Sequence, residues 1–118
     1  MNFIIIFLLI FALNSSLICH EYKNHAFVTC QESNNLFIIN LDNDNFCYLT
    51  KIELEILICL IRKKEISKNF IKENILNIRS NIETNSLESH LTRIRKKMKI
   101  VKTKVKIQAK NEKLLIKV

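Results

Sequence analysis

The side chains best suited to chemistry in this sequence lie in Ser86-Leu87-Glu88-Ser89-His90-Leu91-Thr92-Arg93-Ile94-Arg95-Lys96-Lys97-Met98. Leu87, Leu91, Ile94 and Met98 recur at steps of four, three and four, which gathers them into one narrow apolar seam on a helix. Ser86, Ser89, His90, Thr92, Arg93, Arg95, Lys96 and Lys97 then occupy the remaining faces. Such a helix suits a polyanion. Guanidinium and ammonium groups meet phosphates, while arginine, imidazole and hydroxyl groups can hydrogen-bond base edges in a major groove. Arg93 is the candidate for a bidentate contact to guanine, a contact that discriminates by about 1–3 kcal/mol. Its competing role is a surface arginine paired with Glu88. His90 could equally pack against a sheet or bond a backbone carbonyl, and each lysine could simply be solvated.

Other chemistries lack their parts. The sequence shows no Ser/His/Asp set or paired carboxylates, and with 0 Gly it has no glycine-rich phosphate loop. The reading is therefore no enzyme and no cofactor. Cys19, Cys30, Cys47 and Cys59 form no C-x-x-C pair and no zinc-like pattern with histidine. They read as structural thiols in a reducing, cytoplasmic compartment, with no metal site. Asp42 and Asp44 read as turn formers.

The charge distribution supports a polyanionic partner. Residues 1–61 hold two Lys against six Asp/Glu, whereas residues 62–118 hold seventeen Lys/Arg against five Glu, giving the formal net +8. Since Gly and Pro are both 0, turns and helix ends are expected to use Asn, Asp or Ser. The excess of Ile, Asn and Lys resembles a mutational bias and carries little functional weight.

Several elements must position the basic helix. Leu36–Leu41 suits a strand, Asp42-Asn43-Asp44-Asn45 a turn, and Phe46–Leu49 a returning strand. Thr50 and Glu53 form a capping box that opens a helix carrying Ile52, Ile56, Leu57, Leu60 and Ile61, closed by Arg62-Lys63-Lys64. Ser67 is placed to cap a second helix with Phe70, Ile71, Ile75 and Ile78 as its buried stripe. Asn85 and Glu88 suggest a capping box for the third. Val101 to Ile107 alternates strictly and reads as a strand with lysines on one face, and Leu114–Val118 pairs back with it. Lys110-Asn111-Glu112-Lys113 forms the hairpin tip.

Phe3 to Leu13 is an unbroken apolar run. It has no basic n-region and only a poor cleavage site for a signal peptide, and extension to Ile18 still falls short of a membrane span of about 20 residues; export, a membrane role and a disordered or misannotated leader are the alternatives to a buried element. A buried element is favoured over a membrane role for residues 3–18. A more specific version takes Phe3–Phe7, Ala12–Asn24, Phe27–Cys30 and Leu36–Asp42 as strand, helix, strand, strand, similar to a shrunken receiver domain with Asp42 at the phosphoacceptor-like position. Phe7-Leu8 stands where a receiver needs its acidic pair, so no phosphorylation is expected.

Two motifs carry a broader resemblance. Leu49-Thr50-Lys51-Ile52-Glu53-Leu54-Glu55-Ile56-Leu57 resembles the first-helix opening of the OmpR/PhoB-type response-regulator effector domain, L-T-x-x-E-x-x-x-L. Ser86 to Met98 resembles that family's recognition helix, close to V-D-V-H-I-x-R-L-R-K-K-L. The resemblance covers residues 36–118 and implies an α+β winged helix-turn-helix: N-terminal strands, three helices and a C-terminal β-hairpin wing, preceded by an apolar segment over 1–35. It implies a DNA-binding transcriptional regulator of two-component type, with double-stranded DNA as partner and a homodimer left open. His90, Arg93 and neighbouring polar residues would face bases and phosphates. Arg95, Lys96 and Lys97 would serve the backbone, and Lys110 or Lys113 in the wing would reach a minor groove. The family's wing carries R-G-x-G-Y where this chain has Lys110-Asn111-Glu112-Lys113-Leu114, with Lys113 as the expected strained position. A membrane-anchored or degenerate regulator, or the same fold binding RNA or protein, are the alternatives.

Overall fold

The alternation Phe27, Thr29 against Val28, Cys30, and Ile38, Asn40 against Phe37, Ile39, gives two strands with two different faces. In the computed structural model, which describes residues 18–22, 27–32, 35–79 and 85–118, these strands are the middle of an antiparallel sheet. Its order is β1 (Ile18–Glu21), β2 (Phe27–Glu32), β3 (Asn35–Asn40) and β4 (Asn45–Tyr48). The chain continues through α1 (Lys51–Lys63), β5 (Glu65–Ser67), α2 (Lys68–Asn74) and α3 (Ser86–Ile100). It then forms a hairpin of β6 (Lys106–Lys110) and β7 (Lys113–Lys117), which β5 extends to a second antiparallel sheet ordered β5-β7-β6. The described residues thus form an α+β fold of three helices and two antiparallel sheets. No helix among them is long and apolar enough to cross a membrane.

One core joins these parts. Leu57 and Leu60 of α1, Leu91 and Ile94 of α3, Ile38 of β3, Ile71 of α2 and Leu114 of β7 are all fully enclosed. The expected α3 seam of Leu87, Leu91, Ile94 and Met98 is buried throughout. In α2 only Ile71 is fully covered and Phe70 is half-buried; the helix ends at Asn74, so the half-buried Ile75 and Ile78 follow it and do not continue its stripe as expected. Tyr22 and Phe27 belong to the same core, so strands upstream of residue 36 help to build it. The Tyr22 hydroxyl also donates to the Ile116 carbonyl at 3.0 Å, fastening the end of β1 to β7.

The expected β3–β4 hairpin, the Thr50–Glu53 capping box and the Ser67 cap are all present. Other expectations need correction. Residues 18–21 of the expected Ala12–Asn24 helix form a strand paired with β2, so the receiver-like order is not found there. Phe3–Phe7 lies outside the described residues. Cys19 and Cys30 are a disulfide and not thiols: the β1–β2 register sets them opposite each other with 4.2 Å between their Cα atoms. Cys47 and Cys59 are free and half-buried, and burial pushes the Cys59 thiol pKa up. The expected Asn85–Glu88 capping box is absent: Asn85 sits at φ −92, ψ 9 and makes no side-chain cap, and the Glu88 carboxylate pairs with Lys68 Nζ at 3.3 Å.

The third helix ends differently from the expected strand over Val101–Ile107. Lys102 takes φ 57, the Lys102 amide bonds the Lys99 carbonyl at 3.0 Å, and the Thr103 amide bonds Met98 at 3.3 Å. This is a Schellman closure, and the strand begins only at Lys106. The expected alternation survives as burial: Val101, Val105 and Ile107 point inward, while Lys102, Lys104 and Lys106 point out. Two asparagines from the β3–β4 turn complete the helix end. Asn40 Nδ2 donates to the carbonyls of Val101 (3.1 Å) and Lys102 (3.2 Å), and Asn43 Nδ2 donates to Val101 at 3.1 Å.

At the hairpin tip Lys110 pairs with Lys113, so Asn111 and Glu112 form a two-residue turn with φ 53 and 61. Both central residues being left-handed is the type I′ pattern, whose twist matches the strands. The strained position is therefore Glu112 and not Lys113, which lies in β7. Asp44 and Asn77 also occupy left-handed positions, as turn chemistry favours, but so do Lys64 and Lys102.

Two stability predictions follow from these contacts. Glu112→Gly relieves the side-chain penalty at φ 61 and should raise unfolding free energy by about 0.5–1 kcal/mol in urea titration. Asn40→Leu strips buried partners from the α3 carbonyls and should cost about 1–3 kcal/mol, with faster amide exchange at the end of α3.

Candidate nucleic-acid interface

The interface is built on one carboxylate. Thr50 Oγ accepts from the Glu53 amide at 3.3 Å, and Glu53 Oε1 accepts from the Thr50 amide at 2.8 Å, which starts α1 and aims Glu53 inward. Its side chain is 0% exposed. Lys97 Nζ of α3 reaches the same Oε1 at 2.6 Å, and Arg93 Nε lies 3.9 Å from Oε2. Burial alone would push the Glu53 pKa up. The Lys97 ammonium and the Thr50 amide and hydroxyl outweigh it, holding the carboxyl below its ordinary value of 4.5.

Arg93 is half in solvent, with a side-chain exposure of 52%. Its Nη2 lies 3.0 Å from His90 Nδ1. Because guanidinium only donates, Nδ1 must accept, and a neutral imidazole then carries its proton on Nε2. Partial burial, the positive charge of Arg93 and, against them, the negative charge of Glu53 leave the His90 pKa below its usual value, consistent with that neutral form. Glu53 and His90 thus hold the Arg93 guanidinium against the surface of α3. Arg93 does not pair with Glu88, which is engaged by Lys68.

The other expected site residues separate into two groups. Ser89, Thr92 and Lys96 are exposed on α3, with the Thr92 hydroxyl donating back to the Glu88 carbonyl at 2.9 Å. Ser86 is half-buried at the helix start. Arg95 and Lys97 have internal partners: Arg95 Nε and Nη2 donate to the Ile107 carbonyl at 3.3 and 3.2 Å, tying α3 to β6, and Lys97 serves Glu53. Lys110 and Lys113 are exposed at the hairpin end, with Lys113 Nζ 3.6 Å from Glu65. The Glu112 carbonyl accepts from the Lys68 amide at 2.9 Å, and the Lys68 ammonium pairs with Glu88. That chain of contacts links the hairpin tip to the first turn of α3.

Between α3 and β6 lies a cleft of about 130 Å³ with Arg95, Lys99, Thr103 and Lys106 among its lining residues. Lys106 enters the site through this cleft, which depends on how β6 docks. Glu53 is the site residue that its motif alone did not flag. The capping box was legible, but its second service to α3 needed the packing of α1 against that helix.

Lys97→Ala leaves a buried carboxylate without its closest cation and should destabilise the fold by about 3–5 kcal/mol, seen as a lower denaturation midpoint. Because the folded Glu53 pKa is depressed, its contribution is present above about 4.5 and lost as pH falls through the folded pKa. The acid limb of a stability–pH curve should accordingly flatten in Glu53→Gln. Comparison with known proteins finds no matching family model, no similar curated protein and no similar solved structure.

Proposed function

We propose that this protein is a DNA-binding transcriptional regulator of the OmpR/PhoB effector type, a winged helix with α3 as recognition helix and the β6–β7 hairpin as wing. The observation that carries the reading is the outward face of α3. It presents Ser89, His90, Thr92, Arg93 and Lys96, while the opposite seam is buried. Strands, three helices and a terminal basic hairpin also occur in the order that the resemblance implies.

In this reading Arg93 and the Nε2 side of His90 address base edges in the major groove. Lys96, with Lys99 and Lys106 at the α3–β6 cleft, takes backbone phosphates, and Lys110 and Lys113 meet the backbone or minor groove beside the wing. Arg95 and Lys97 act chiefly by positioning, since their hydrogen-bond partners lie within the fold. Phosphate neutralisation makes affinity fall as salt rises, whereas contacts to bases supply sequence preference.

The test is selection of the full chain against random duplex DNA at near-physiological salt. A shared motif should emerge, and Arg93→Ala should abolish its enrichment while leaving non-specific binding. Lys96→Ala should weaken all sequences alike and make the salt dependence shallower by about one phosphate contact. Uniform loss in both variants would remove the recognition-helix assignment. Absence of duplex binding at low salt, or stronger competition by structured RNA, would overturn the reading itself.

A further inference from the structure

The chain leaves α3 and enters β6 through a tight corner. The Lys102 and Thr103 amides close the helix onto the Lys99 and Met98 carbonyls, and Thr103 Oγ accepts from the Val105 amide at 3.1 Å. The cleft of about 130 Å³ lies inside this corner, with α3 as one wall, β6 as the other and the turn at Thr103 shutting its end. Its floor is apolar, since Met98, Val105 and Ile107 are all buried. Its polar side chains can all donate. Arg95 uses Nε and Nη2 on the Ile107 carbonyl, which fixes the guanidinium plane and leaves the Nη1 group. The Thr103 hydroxyl keeps its proton to give. Lys99 and Lys106 are exposed, and the ion pairs among the described residues fall on other cations, Lys68, Arg93, Lys97 and Lys113. No acidic residue occurs between positions 95 and 107.

We propose that this cleft seats one terminal phosphate, that of a small phosphate monoester or of inorganic phosphate. Three cations without a counter-charge favour an anion, and the apolar floor beside them weakens screening by water. The space admits a phosphate group and leaves the rest of a ligand outside, being well below the roughly 300 Å³ of a pocket that encloses a whole small molecule. A corner closed on three sides receives a group that ends a molecule, whereas a duplex phosphodiester continues on both sides. A monoester also carries nearly two charges at neutral pH, its second pKa being about 6, against one for a diester. Seating it requires no duplex. A bound monoester would, however, occupy Lys99 and Lys106, the ammonium groups that the DNA reading offers to the backbone.

The test is a ¹H–¹⁵N NMR titration of the full chain, at matched ionic strength, with inorganic phosphate, glycerol phosphate or dimethyl phosphate against sodium chloride. Inorganic phosphate and glycerol phosphate should move the same few signals around Arg95, Thr103 and Lys106, the Arg95 Nε–H among them, and saturate. Dimethyl phosphate should bind roughly tenfold more weakly, since it carries one charge in place of two. Lys99→Gln and Lys106→Gln, at exposed positions that leave the core intact, should each weaken the monoester by roughly fivefold. Equal binding of dimethyl phosphate would hand the cleft to backbone phosphodiesters and overturn the assignment. Shifts spread over the basic surface without saturation, no shifts, or affinity unchanged in both lysine variants would overturn it as well. No arm contains DNA, so the outcome is separate from that of duplex selection.

Discussion

Glu53 is a carboxylate that opens one helix and anchors another. At the N-terminus of α1 it satisfies an amide that would otherwise be orphaned, a service any capping-box glutamate performs. Its complete burial changes the consequences. A charge removed from water needs a counter-charge within the fold, and Lys97 supplies it from α3 at 2.6 Å. The pair therefore sets where α3 lies relative to α1, and with it the direction of every side chain on the outer face of α3. Arg93 lies within 3.9 Å of the same carboxylate, so the guanidinium best placed to leave the surface feels the charge that orients the helix.

The other end of α3 depends on a different sheet. Its last carbonyls are met by the Asn40 and Asn43 amides, and Asn40 Oδ1 accepts from the Asp42 amide at 3.0 Å, so the turn that caps the helix is itself braced. Tyr22 ties the first strand region to β7, and the Lys64 carbonyl receives the Ile116 amide at 3.1 Å. The N-terminal strands thus act as a platform that holds both the basic helix and the basic hairpin. Local contacts between α3 and β6, especially Arg95 to Ile107, then fix the cleft between them.

A chain with 0 Gly must still make left-handed turns. At Asp44, Asn77 and Asn111 it uses residues whose short polar side chains tolerate that conformation. At Lys64, Lys102 and Glu112 it does not. There the backbone geometry is demanded from outside the residue, by helix closure at Lys64 and Lys102 and by the two-residue turn between paired strands at Glu112. Composition therefore indicates where the chain is willing to turn, while pairing and packing decide where it must.

Periodic patterns made much of this protein legible from sequence. The seam of α3, the Thr50–Glu53 box, the Ser67 cap and the β3–β4 hairpin follow from residue type and spacing, because each is a local matter of one face, one amide or one turn. So does the outward placement of Ser89, Thr92, Arg93 and Lys96. The rest needed partners distant in the chain. Cys19 meets Cys30 through strand register, Glu88 leaves its helix for Lys68, and β5 forms because β7 offers it an edge. Lys97 and Arg95 look in sequence like further surface cations. Only tertiary packing, by burying Glu53 and bringing the Ile107 carbonyl to α3, turns them into internal ties.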